Sequence, residues 1–160
     1  MAILVDAGRI AIAQAVKDQS IYLAWGSGDV AWDTTPVPEP TDATALVAEI
    51  GRRVVTAAEF CTPNSGGDII VPPGRFSVSS TPTRYLFLSF TFDFNDAPSA
   101  IIRELGVFLG TTLKSTVPPG TEYVVPSQIQ LPGNMLQLER IGRLERSNAI
   151  RQRFEFVIQF

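Results

Sequence analysis

The chain has 160 residues, 45% of them hydrophobic and only 18% charged, with a formal net charge of -3. That balance supports one domain with a real core, leaves little charge to cover a monomer's surface, and argues against nucleic-acid binding, which needs clustered Lys and Arg. Histidine is absent, so Ser-His-Asp and Cys-His nucleophile systems and His-ligated zinc sites are closed.

Cys61 is the single cysteine, so no intramolecular disulfide forms and folding in a reducing cytoplasm is the expectation. Met1-Ala2-Ile3-Leu4-Val5-Asp6 carries neither a basic leader nor a long apolar run, so neither a signal peptide nor a membrane span is expected. Ala7 to Lys17, rich in Ala and Ile, predicts a short helix with Asp6 as N-cap. Ile21 to Trp25 predicts a strand that ends in a tight turn at Gly26-Ser27-Gly28-Asp29.

Pro36, Pro38 and Pro40 alternate within Thr34 to Pro40, which predicts an extended arm lying on the surface or on a neighbour. A turn of helix is expected at Thr41 to Leu46, followed by one strand from Arg52 to Phe60 and a polar loop from Thr62 to Gly67. The clearest alternation lies at Tyr85 to Phe94, with Leu86, Leu88, Phe90, Phe92 and Phe94 on one face of a half-buried strand. Asn95-Asp96-Ala97-Pro98 reads as the turn that sets this strand antiparallel to Ile101 to Leu109, as in a meander.

Between Thr111 and Glu139, Pro118, Pro119, Gly120, Pro126, Pro132 and Gly133 break any long element and predict an extended excursion that is functional or held by a partner. The last alternation places Phe154, Phe156, Ile158 and Phe160 on one face of a closing strand. Arg140, Arg143, Arg146, Arg151 and Arg153 cluster late, but Glu139, Glu145 and Glu155 among them predict a mixed-sign surface or an interface of ion pairs rather than a phosphate-binding tail. The fold class expected is α+β, mainly β: an antiparallel sheet or sandwich with one short helix and long extended loops.

Chemistry finds little support. Gly26-Ser27-Gly28 lacks the later glycine and lysine of nucleotide loops and reads as a turn. Glu104 with Asp93 or Asp96 would be the only carboxylate pair worth testing for glycoside hydrolysis, and an ion pair of Glu104 explains it more simply. Asp29, Asp33, Glu39 and Asp42 do not match an EF-hand and read as a solvated acidic loop, so no cofactor or metal is expected. Trp25 and Trp32 flank the glycine turn and suit a protein interface, a sugar platform or a core.

The order of these pieces resembles the N-terminal domain of phage tail-collar and tail-fibre proteins. Asp6-Ala7-Gly8 opening an alanine-rich helix, the Gly26-Ser27-Gly28 turn, Thr44 to Glu49 followed by Arg52 or Arg53, and Ile102 to Phe108 carry the resemblance, over roughly residues 4 to 112. With no repetitive shaft after Thr112, the chain is more similar to a small baseplate or tail-tip protein. The resemblance implies a tail-collar-like β-rich body over residues 1–112, with a proline-rich excursion and closing strand over 113–160 of the same domain.

It also implies a non-enzymatic virion protein, made in the host cytoplasm. Its partners would be other baseplate and tail proteins and/or tail fibres, and further copies of itself in a symmetric assembly, with no nucleic acid and no membrane span. Docking is expected through residues about 30 to 41 and 112 to 135, with Trp25, Trp32, Pro36, Pro38, Pro40, Pro118, Pro119 and Tyr123 as interface residues. The alternative is a carbohydrate-binding β-module that recognises the host surface through Trp25, Trp32 or Tyr85.

Overall fold

A computed structural model describes residues 1–160. One helix, α1 (Asp6–Lys17), precedes strands β1 (Ile21–Gly26), β2 (Glu49–Val54), β3 (Ala57–Pro63), β4 (Ile69–Val71), β5 (Gly74–Val78) and β6 (Tyr85–Phe92). The chain continues through β7 (Ile101–Leu109), β8 (Thr112–Leu113), β9 (Tyr123–Val124), β10 (Ile129–Leu131), β11 (Asn134–Glu145) and β12 (Gln152–Gln159). The protein is therefore mainly β, with antiparallel pairing and a short helix near residue 6. Asp6 is the first helical residue and Val5 holds the cap position, so Asp6 acts on the helix dipole rather than as a cap.

The chain divides into two compact units. One comprises Met1–Gln19, Val55–Phe90 and Arg153–Phe160. Its strands belong to the sheet β12-β6-β3-β5-β4, and Ala13 and Val16 of α1 are buried. Lys17 lies over the Phe60 ring, Phe90 meets Phe156 edge to face, and Cys61, Ile69, Val71, Phe76 and Phe87 form an apolar cluster. Burial pushes the Cys61 thiol up to about 11, which leaves it protonated and unreactive at neutral pH.

The other unit comprises Ser20–Val54 and Thr91–Gln152 and holds the sheet β11-β7-β1-β2-β9. β1 is central and wholly buried. Trp25 lies opposite Leu105 of β7 and Gly51 of β2. Its ring stacks on Phe92 with centroids 3.6 Å apart, and its indole N–H donates to the Tyr123 hydroxyl at 3.1 Å.

Several expectations need correction. Thr41 to Leu46 makes a turn without a helix. The expected strand Arg52 to Phe60 is two strands in different sheets, because the chain leaves β2 at Val54 and enters β3 at Ala57. Likewise β6 and β7 are not neighbours: β6 lies between β12 and β3, and β7 between β11 and β1. The strand at residue 85 is buried on both faces, Phe87 and Ser89 included, and stops at Phe92, leaving Phe94 40% exposed. A strand covered on both faces loses the polar alternation that marks a half-buried one.

The proline-rich stretch after Thr111 is woven into the fold rather than free. β9 pairs with β2, β10 pairs with β8, and the Arg52 guanidinium donates to the Pro132 carbonyl at 2.5 Å.

Candidate functional site

The surface that the sequence marks as docking material is built on the turn after β1. Gly28 adopts φ +56, and a Cβ there would collide with the Trp32 ring, so only glycine allows this turn and this packing together. Gly26 is equally constrained: a Cβ would sit 2.8 Å from the Ala48 carbonyl oxygen and against the Glu104 carboxylate. The Asp29 side chain accepts from the Ala31 N–H at 2.9 Å and caps the short 3-10 turn Val30–Asp33 that carries Trp32.

Arg103, on β7, fixes the far end of that turn. Its guanidinium grips Asp33 with two hydrogen bonds of 2.7 and 2.8 Å and donates to the Ser27 carbonyl at 3.0 Å. The fork geometry matches both carboxylate oxygens. This bond to Arg103 holds the Asp33 carboxyl below its ordinary range. Neighbouring Glu104 accepts the N–H groups of Ala48 at 2.9 Å and Val47 at 3.2 Å, tying down the segment that leads into β2. The two charges therefore serve different loops, as adjacent positions on a strand point to opposite faces.

From Trp32 the chain runs into the proline arm, and Arg140 of β11 clamps it. The Arg140 guanidinium lies 4.2 Å from the Trp32 ring centroid and donates to the carbonyls of Val37 at 3.0 Å and Pro38 at 2.8 Å. The Arg140 backbone N–H donates to the Glu39 carboxylate at 2.9 Å, which lowers the Glu39 pKa. The arm lies outside any strand, so its carbonyls have no ladder partner and the arginine fork supplies the donors. Trp32, Pro36, Val37, Pro38, Glu39, Arg140 and the next two residues of β11 line a groove of about 320 Å³.

Pro36, Pro38 and Pro40 are exposed along the arm and Trp32 is half-buried. Pro118 and Pro119 are exposed in a separate turn, where the Thr121 N–H and hydroxyl both bond to the Pro118 carbonyl. Trp25 has no exposed surface, and Tyr123 is half-buried with its hydroxyl turned to Trp25. The structure thus brings Trp32 together with Pro36 and Pro38, and Trp25 together with Tyr123, as two separate sets. Arg140 and Arg103 have no place in the sequence reading of this surface, and Asp33 enters it only within a solvated acidic loop, since their partners lie far away in the chain.

The acidic loop is not simply solvated: Asp29 caps, Asp33 is gripped and Glu39 receives a backbone N–H. The carboxylates weighed for hydrolysis also hold structure. Asp96 accepts from Arg53 and the Asp93 N–H, and Asp93 accepts from Arg151 and the Phe94 N–H. Glu104→Gln is expected to cost about 1–3 kcal/mol, because its amide N–H₂ would face a backbone N–H that now has an acceptor. Chemical denaturation followed by circular dichroism measures this.

Of the late arginines, Arg143 pairs with Glu145 and Arg153 with Glu155, while Arg151 pairs with Asp93, and Arg140 and Arg146 donate to backbone carbonyls. A family model described as "Baseplate wedge 3 tail fiber network component" matches residues 1–160 of the chain. No curated protein matches it in sequence.

Proposed function

Because the chain belongs to the baseplate wedge 3 tail fibre network family, and is thus a structural component of a phage tail baseplate, we propose that it joins baseplate parts or tail fibres through its proline arm. The observation that carries this reading is the clamp on Arg140. An exposed arm that ends on a guanidinium, an aromatic ring and a carboxylate is ordered before any partner arrives, so little conformational entropy is lost on docking. Prolines that cannot bond along a strand still offer carbonyls and flat apolar faces to a neighbour.

Trp32, Pro36, Pro38 and Pro40 form the main docking rim in this reading, and Pro118 and Pro119 a second one. Work done on substrate has no part in it: the protein acts by position, within the virion tail, against other baseplate proteins and fibres. The carbohydrate reading gains nothing from Trp25, which is buried, or from Trp32, whose ring carries Arg140.

Arg140→Ala releases the arm while leaving the core of the sheet intact. Phage complemented with this variant is expected to yield tails with incomplete fibres or wedges by electron microscopy, and a titre lowered by about tenfold or more. Normal tails from Arg140→Ala, and again from a variant with Pro36 and Pro38 both changed to Gly, would remove the arm from the joint.

A further inference from the structure

The strands at the sheet edges differ in one respect. Open edges attract further strands, and proteins usually blunt them by shortness, bulges, proline or charge. β9 has 2 residues, and β4 has 3 and runs into Pro72 and Pro73. β11 is longer, but its register shifts twice and Glu39 occupies the outward N–H of Arg140. β12 has 8 residues without proline or glycine, and its one strand neighbour is β6.

The Phe160 N–H donates to the Arg84 carbonyl at 3.0 Å, at the entry to β6. Alternation along an antiparallel ladder then turns the N–H groups of Glu155, Val157 and Gln159 away from β6. An unpaired row of strand donors is thus presented next to the apolar residues Phe156, Val157 and Ile158.

The same unit carries a segment with the opposite need. Ala2-Ile3-Leu4-Val5 precedes α1 outside any helix or strand, with Val5 extended at φ -79 and ψ 162. Ile3 is 82% exposed, Val5 57% and Leu4 50%. Consecutive apolar side chains in solvent, with β-branched residues at alternate positions, have the composition of a strand that lacks a sheet. Asp6 then anchors the chain to Arg84 at 3.3 Å, so the segment starts from a fixed point.

We propose that residues 2–5 of a second copy of this chain add to the free edge of β12. The occupant is another copy because one unit holds both halves of the joint, a strand without a sheet and a sheet edge without a strand, which makes the surface self-complementary. Backbone bonds to Glu155, Val157 and Gln159 supply affinity, and burial of Ile3 and Val5 supplies register. This pairing stands on its own geometry and holds whether or not the proline arm is a docking surface.

Sedimentation of the full chain at micromolar concentration, with amide hydrogen exchange of β12, tests it. The unsubstituted protein is expected to be oligomeric with slow exchange at Glu155 and Val157. Ile3→Lys, at an exposed position, should yield monomers and speed exchange at those amides by about tenfold or more. Gln159→Pro removes an outward N–H without removing a bond to β6, and should also weaken the oligomer. A monomeric unsubstituted protein, an oligomer indifferent to both substitutions, or amides that stay slow in the Ile3→Lys monomer would each overturn the proposal.

Discussion

Trp25→Ala is expected to lose about 3–5 kcal/mol of stability. The indole has no exposed surface and stacks on Phe92 within 3.6 Å at an interplanar angle of 18°. Arg146 lies over it, 5.1 Å from the ring, and Tyr123 meets it edge-on. Deleting the ring opens a cavity among groups that β1, β7 and β9 hold in fixed register, so collapse of the site is limited. It also strips the Tyr123 hydroxyl of its donor. Trp25→Phe keeps most of the volume and should cost about 1–3 kcal/mol, chiefly through that hydroxyl. Urea unfolding followed by far-ultraviolet circular dichroism compares the two. A loss below about 1 kcal/mol for Trp25→Ala would contradict the packing described.

Arg52→Ala is the second large effect, at about 3–5 kcal/mol. The side chain is buried and forks onto both oxygens of Glu49, at 2.7 and 3.1 Å. It also reaches the Thr111 hydroxyl at 2.9 Å and the Pro132 carbonyl, and lies 3.7 Å from the Phe108 ring. Truncation leaves Glu49 as a largely buried carboxylate without its counter-charge and frees the stretch between β10 and β11. Arg52→Lys keeps the charge but not the planar fork, so an intermediate loss is expected. Limited proteolysis gives a second readout, since cleavage between residues 125 and 134 should accelerate in Arg52→Ala ahead of global unfolding.

The elements visible in the sequence were those whose pattern is local. Helix α1, strand β1 and the alternating runs of β6 and β12 announce themselves through composition and period, and they stand within a residue or two of where periodicity puts them. What failed was adjacency. Asn95 to Pro98 has turn chemistry, yet the strands on either side join different sheets, and a turn specifies a reversal without specifying who pairs across it. Val54 to Ala57 contains neither glycine nor proline, so nothing local marks the passage from β2 to β3.

The candidate site divides in the same way. Alternate prolines made the arm legible as an extended surface segment. Arg140, about a hundred residues further on, could not be matched to the arm by spacing, because a clamp between distant elements leaves no periodic signal. Tyr123 sits in a proline-rich stretch that reads as surface, and its role follows from one hydroxyl reaching one indole. Baseplate membership was legible only through the order of several individually weak motifs, which agrees with the family match over the whole chain.

The convergence of Asp6 and Phe160 on Arg84 bears on how the protein carries load. Asp6 pairs with the Arg84 guanidinium and Phe160 donates to the Arg84 carbonyl, so residues far apart in the chain are pinned to a single residue. A pull applied across residues 6 and 160 is therefore resisted first at this junction, within the unit that both belong to.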